Sequence, residues 1–218
     1  MTGSTQIGLD FISKLKDTYQ IANKTDQERL ISELSALVEY SLDKRNSLPK
    51  VLDRIGRLIL KFFEFKILSI ALRSDDGRFR YVTLIGHSRE AEEASRKLSY
   101  TGEELLDYDK FPCVRIMPTV HFCPTEGFPI NEAELTAQHR PTLLQKPRED
   151  LDSFLAGDYI DFYMYADGRL IGFIEVSETK DGRLPLRDTV RWIDLIAKIS
   201  AAIIQPRMRI KEDTAKTG

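Results

Sequence analysis

Two pairs of β-rich segments, each turned back on itself at an Asp-Gly step, constrain this chain more than any other feature. Residues 66–73 (KILSIALR) and 78–86 (RFRYVTLIG) alternate in polarity and flank Ser-Asp-Asp-Gly. Residues 159–165 (YIDFYMY) and 169–177 (RLIGFIEVS) repeat the plan around Ala-Asp-Gly. Gly77 and Gly168 each suit a type I turn closed by a left-handed glycine bulge. Cross-strand partners share a face, so that choice of turn assigns the faces. Ser74 opposite Arg78 gathers Leu68, Ile70, Leu72, Val82 and Leu84 on one side. Tyr165 opposite Arg169 adds Ile160, Phe162, Met164, Leu170, Gly172, Ile174 and Val176. This aliphatic side predicts packing under helices, with Gly172 admitting one closely. The opposite side carries Ser69, Ala71, Tyr81, Thr83, Asp161, Tyr163, Phe173 and Glu175. It is amphipathic, as the floor of a ligand chamber would be. A two-residue turn inverts half of this assignment.

The first third of the chain has helical spacing instead. Apolar residues recur at Leu9, Ile12, Leu15, Tyr19 and Ala22, and again at Leu30, Ile31, Leu34, Leu37, Val38 and Leu42. Thr25 with Glu28 reads as a capping box for the second helix. Ser47 caps a third, with Pro49 in its first turn, burying Val51, Leu52, Ile55, Leu58, Ile59 and Phe62. Two amphipathic helices ahead of a sheet must bury their stripes on their own domain or on a second copy. Between the hairpins the pattern suggests short helices near 88–97 and 109–117 and a strand at Val120–Cys123. A long stretch from Pro124 to Gly157 follows, with helical pieces at 131–138 and 148–155. An amphipathic helix over 187–204 closes the domain, and Pro206 is expected to end it.

Composition excludes several classes. The 32 basic and 34 acidic residues leave a net charge of −2, without the basic excess that phosphate contacts in nucleic-acid binding demand. Arg207, Arg209 and Lys211 read as a solvated tail. No apolar run approaches the roughly 20 residues of a membrane span, and no signal-peptide pattern opens the chain. With two cysteines there is no disulfide framework, so the expectation is a reducing, cytoplasmic location with both thiols free.

The run Gly168-Arg169-Leu170-Ile171-Gly172-Phe173-Ile174-Glu175-Val176, preceded by a strand and a D-G turn and followed by a long Ile- and Ala-rich helix, resembles the end of a GAF domain. Tyr108-Asp109-Lys110-Phe111-Pro112-Cys113-Val114-Arg115 resembles the family's entry to its middle helix, and Thr119-Val120-His121-Phe122 its next strand. The likeness spans about residues 47–204. It implies an α+β fold: an antiparallel sheet of about six strands, helices from both ends on one face, and a pocket under loops and the middle helix on the other. Members of the family bind cyclic nucleotides, haem, bilins, other metabolites or nothing detectable, so the fold does not name a ligand or cofactor.

Ser69, Tyr81, Thr83, Tyr100, Cys113, Arg115, His121, Asp161, Tyr163 and Glu175 form the candidate ligand-contacting set. Arg115, placed on the middle helix, is the nearest charge-assisted partner for Asp161 and Glu175. Cys113 and Cys123 are read as buried apolar residues, because Cys123 precedes Pro124 and not the His of the usual bilin-attachment pattern. His121 is read as a hydrogen-bonded strand histidine; His87 and His139 are read as surface residues, and no local spacing resembles a metal site. The expected organisation is a helical dimerisation segment (1–46), a GAF domain (47–206) and a polar tail (207–218). The expected function is a dimeric sensory module that binds a small molecule and passes a signal through terminal helices to an output domain or partner in trans. A ligand-free scaffold of the same fold and a cysteine-based redox enzyme remain as alternatives.

Overall fold

The computed structural model describes residues 25–107, 109, 113–127 and 148–216. Two compact units divide at Ala36 and Leu37, and each is described by itself. Helix α1 (Asp26–Leu42) opens with the predicted capping box. Thr25 Oγ1 accepts from the Glu28 N–H at 3.3 Å, while Glu28 Oε2 accepts from the Thr25 N–H at 2.7 Å. The stripe from Leu9 to Ala22, the helical piece at 131–138 and His139 lie outside the described residues.

The second unit is built on six strands: β1 (Phe65–Arg73), β2 (Phe79–Ile85), β3 (Val114–Met117), β4 (Val120–Cys123), β5 (Tyr159–Ala166) and β6 (Arg169–Thr179). Their order is β2-β1-β6-β5-β4-β3, antiparallel throughout. Helices α2 (Leu48–Phe62) and α5 (Arg187–Lys216) pack on one face of this sheet. Val51, Leu52, Ile55 and Ile59 of α2 and Ile193, Ile196, Ala197 and Ile204 of α5 are buried there with Leu68, Ile70, Phe162 and Ile174. Gly56 makes the approach of α2 possible, since a Cβ at that position would lie 2.6 Å from Ile85 Cδ1. Ser47 stands at the N-cap of α2 with extended backbone, but its side chain makes no capping bond. Short helices α3 (Arg89–Ser95) and α4 (Gly102–Leu105) follow the first hairpin.

The first hairpin turns as expected: the Ser74 N–H donates to Arg78 O at 2.8 Å, and Gly77 has φ +80°. A bulge at Val82 then shifts the register, so that Ala71 faces Tyr81 but Ile70 faces Thr83 and Ser69 faces Leu84. One unpaired residue exchanges the faces of everything beyond it. Thr83 and Ile85 therefore lie on the helix-covered side, and Leu84 on the side expected for Thr83. The second hairpin differs at its tip. Ala166 pairs with Arg169 across a two-residue turn in which Asp167 and Gly168 both have positive φ, 50° and 72°. This is the type I′ geometry that Asp-Gly favours. A bulge at Ile171 cancels the resulting change of parity, and the inner pairs Met164–Gly172, Tyr163–Phe173 and Asp161–Glu175 keep their predicted faces. Leu170, outside the bulge, joins Phe173 and Tyr163 on the amphipathic side.

Three other expectations change. Residues 114–117 are strand, because they pair with β4, and 148–155 are turns. Helix α5 also continues through Pro206, whose ring and the Ala202 residue one turn earlier both face solvent, so the carbonyl released by proline can be hydrated. Arg207 is not a solvated tail residue: its guanidinium donates to Ser41 O in the last turn of α1 and, at 2.5 Å, to Asn46 O in the loop that follows. Buried Asp158 accepts from the Thr125 and Leu155 N–H groups at 2.9 and 2.8 Å and pairs with Arg148 at 2.9 Å.

Gly172 does not admit a helix. A Cβ there would lie 2.5 Å from Ala71 O and 2.8 Å from Leu72 and Met164 side-chain atoms. The crowding is between strands at the centre of the sheet. Gly172→Ala is expected to destabilise by about 1–3 kcal/mol, the usual cost of overpacking. A lowered urea midpoint with an unchanged slope checks this; an unchanged midpoint contradicts it.

Candidate functional site

The face away from α2 and α5 carries a polar row one residue deep across five strands. Ser69 (β1) pairs with Glu175 (β6), Glu175 with Asp161 (β5), Asp161 with His121 (β4), and His121 with Arg115 (β3). An aromatic row runs beside it, Tyr81–Ala71–Phe173–Tyr163. Phe79 and Leu105 complete a hydrophobic cluster around this second row, with Tyr100 packed against it. Strand alternation thus sets acids and aromatics side by side under one cavity.

The walls above the sheet are fixed locally. Tyr100 exchanges both backbone hydrogen bonds with Phe79 (2.7 and 3.1 Å), which brings its ring edge-on to Tyr81 at 6.4 Å. Thr101 and Glu104 form a capping box on α4, and Leu105 at its end offers a carbonyl to the Tyr163 hydroxyl at 3.0 Å. Cys113 closes the side next to β3. The cavity between these groups has a volume of about 30 Å³. One water needs roughly 10–15 Å³ of such space, so about two or three would fit.

Asp161 and Glu175 are unequally satisfied. The Tyr81 hydroxyl donates to Glu175 Oε2 at 2.9 Å, and Ser69 also hydrogen-bonds this carboxylate. Ser69 Oγ lies 3.0 Å from His87 Nε2, which makes His87 part of the row and not a surface residue. Asp161 is only 5% exposed; the Tyr163 hydroxyl stands 3.5 Å from its Oδ2, and its Oδ1 is buried with no hydrogen-bond partner. Burial first, and the Glu175 charge second, push the Asp161 carboxyl well above the usual carboxylate range. Burial also raises Glu175, against the lowering effect of its Tyr81 and Ser69 hydrogen bonds. His121, edge-on to Tyr163 at 4.9 Å, is held below the ordinary imidazole value by burial and then by Arg115.

Of the ten residues singled out from sequence, six line the cavity: Tyr81, Tyr100, Cys113, Asp161, Tyr163 and Glu175. Ser69 and His121 support it from the polar row. Thr83 does not belong, because the Val82 bulge turns it to the helix side. Arg115 does not serve as the acids' partner: it sits on edge strand β3, exposed, and its Nη2 donates to Pro118 O at 3.0 Å. Three lining residues lay outside that set: Phe173, which the alternation had placed on this face, and Tyr159 and Leu105, which sequence reasoning missed. Tyr159 was within reach, since alternation through 159, 161 and 163 puts it on the same face; nothing local marked Leu105.

The expectation of free cysteines also fails. Cys113 and Cys123 form a disulfide, with Cα atoms 4.1 Å apart. Reading 109–117 as a helix separated them, whereas the β3–β4 hairpin, pairing Val114 with Phe122, places them opposite one another one step further out. The premise for a reducing location goes with it. Among the described residues, no cluster of three or more His, Cys, Asp or Glu side chains is placed to hold a metal, and no helix is long and apolar enough to cross a membrane.

The Asp161 carboxyl makes a pH prediction. Its folded-state value exceeds the unfolded one, so between the two the folded state keeps a proton that the unfolded state has lost, and stability falls as pH rises. Relative to Asp161→Asn, the parent protein should lose stability from about pH 4 upward, by about 1–3 kcal/mol at pH 8. Urea unfolding across this range checks it; parallel curves for the two proteins contradict it.

No protein-family model and no curated protein matches the sequence. Solved structures do. The GAF domain/HD domain protein from Geobacter sulfurreducens superposes with a TM-score of 0.53 at 14% identity, covering 81% of this chain and 98% of that one. The GAF domain of an Acinetobacter phosphoenolpyruvate-protein phosphotransferase gives 0.53 at 11%, covering 83% and 95%. The chromophore-binding domain of a bacteriophytochrome from R. palustris gives 0.55 at 11%, covering 87% of this chain and 64% of that one. The chain has the GAF fold, an α+β architecture on a six-stranded antiparallel sheet.

Proposed function

We propose that this GAF-fold chain is a sensory or regulatory module that binds a small molecule over the Asp161–Glu175 pair and acts by changing conformation, not by catalysis. The observation that carries the reading is the cavity itself, floored by a continuous polar row and walled by aromatics on the face the helices leave uncovered. A mechanical link to the terminal helix supports it. The Tyr163 N–H donates to Thr119 O at 2.9 Å, and Thr119 Oγ1 donates to Asp194 Oδ1 of α5 at 2.6 Å. A ligand that repositions Tyr163 therefore pulls on the β3–β4 turn and on α5. The response requires different ligand affinities for two states of that linkage. The structural relatives bearing sensory names, a bacteriophytochrome among them, support the class and not the ligand.

We place the module in a homodimer whose seam includes α1, with an output domain or partner outside these residues. Val38 and Leu42, four residues apart, are 36% and 75% exposed. The location proposed is cytosolic, and the Cys113–Cys123 bond is the feature that counts against it, since disulfides are rare there. A ligand-free dimerisation scaffold is the second reading; the small cavity and the already bonded Tyr81 and Tyr163 hydroxyls favour it.

Native mass spectrometry of the purified full chain separates the two: a bound small molecule, or one captured from a metabolite extract, supports the sensory reading, and none supports the scaffold. For the dimer, Val38→Glu with Leu42→Glu is expected to give a monomer by light scattering while keeping the fold by circular dichroism. A dimer unaffected by both charges places the seam elsewhere.

A further inference from the structure

The unsatisfied Asp161 oxygen says more about the ligand than the fold does. Asp161 Oδ1 is a hydrogen-bond acceptor, buried, on the cavity wall, with no hydrogen-bond partner among the described residues. Leaving such a group unpaired costs about 1–3 kcal/mol, so a group that stays unpaired in the empty site marks where a ligand donor belongs. Glu175, the second carboxyl, is the next residue along the same row. The described residues lining the cavity include no Lys, Arg or His. Arg115 is turned to Pro118 O and His87 to Ser69, while burial and then Arg115 hold His121 below the ordinary imidazole value. Among the described lining residues, a ligand phosphate or carboxylate would meet two acids and no cation. Beside Leu105 and Cys113, the remaining walls are Tyr81, Tyr100, Tyr159, Tyr163 and Phe173, ring systems of the kind whose faces attract positive charge.

We propose that the cavity binds a small organic ammonium cation, its N–H groups donating to Asp161 Oδ1 and Glu175 and its alkyl part resting on the Tyr and Phe rings. This assignment rests on the sensory reading above and narrows its ligand. Space for about two or three waters fits a cation of roughly two to four heavy atoms without rearrangement. A charged partner also resolves the cost of the acid pair. Among the described residues, the groups facing Asp161 are Glu175 from β6, Tyr81 from β2, Tyr159 and Tyr163 from β5, His121 from β4 with Arg115 beyond it, and Tyr100 from above. None supplies a positive charge inside the cavity. Burial and the neighbouring Glu175 charge raise the Asp161 carboxyl, and a cation bound against it favours the ionised form, so binding tightens as pH rises and releases a proton from Asp161.

The test uses the full chain and ethylammonium as the probe, with ethanol as its uncharged isostere and sodium or potassium chloride at equal ionic strength. Ethylammonium should raise the melting temperature saturably, more at pH 8 than at pH 6, with proton release by calorimetry in buffers of different ionisation enthalpy. Asp161→Asn and Glu175→Gln should each weaken the response at least tenfold. An equal effect of ethanol, of sodium or of potassium overturns the assignment, as does an undiminished response in Asp161→Asn. If ethylammonium fails while native mass spectrometry finds a bound anion or neutral metabolite, the ammonium assignment falls and the sensory reading stands. If neither probe nor extract yields any bound molecule, both fall.

Discussion

The registration of β5 against β6 places Asp161 beside Glu175 in the middle of the sheet, and the rest of the site is organised around the cost of that placement. Two carboxyls brought together away from water resist ionising, and each needs donors. Glu175 receives them from β1 and β2, through Ser69 and Tyr81. Asp161 has Tyr163 at 3.5 Å on one oxygen and nothing on the other. The opposite face explains why the arrangement persists. Leu68, Ile70, Phe162 and Ile174 are held under α2 and α5, and a strand that slid by one residue to release the acids would turn these apolar groups outward. Stability on the helix side holds an unsatisfied carboxyl oxygen in place on the cavity side.

Most of the fold was legible in the sequence because its signals were strong and periodic. Both long hairpins, the capping box at Thr25, α2 and the closing helix all followed from spacing and turn chemistry. What was not legible turned on single residues. The bulge at Val82 has no compositional mark, and it alone moved Thr83 out of the site. At the second hairpin two departures, a two-residue turn and a bulge at Ile171, cancelled, so Asp161, Tyr163 and Glu175 kept their face for a reason other than the expected one. The four residues of β3 were too few for a period to show. Reading them as helix misplaced Arg115 and hid the Cys113–Cys123 pairing together.

A fold shared at 11–14% identity leaves the ligand open, since the same sheet can be floored with any chemistry. The discriminating information lies in a few side chains. Acids with no base among the described lining residues, tyrosines whose hydroxyls hold the walls in place, and a threonine tying the pocket strands to α5 distinguish this cavity.

Carboxyl carbon NMR titration, with Asp161 and Glu175 assigned by substitution, tests the central claim most directly. The Asp161 resonance should titrate well above the ordinary aspartate value of about 3.9, and its midpoint should fall when Glu175→Gln removes the neighbouring charge. An Asp161 that titrates near the ordinary value, with or without Glu175, would mean that the acid is solvated and that no unmet acceptor stands in the cavity.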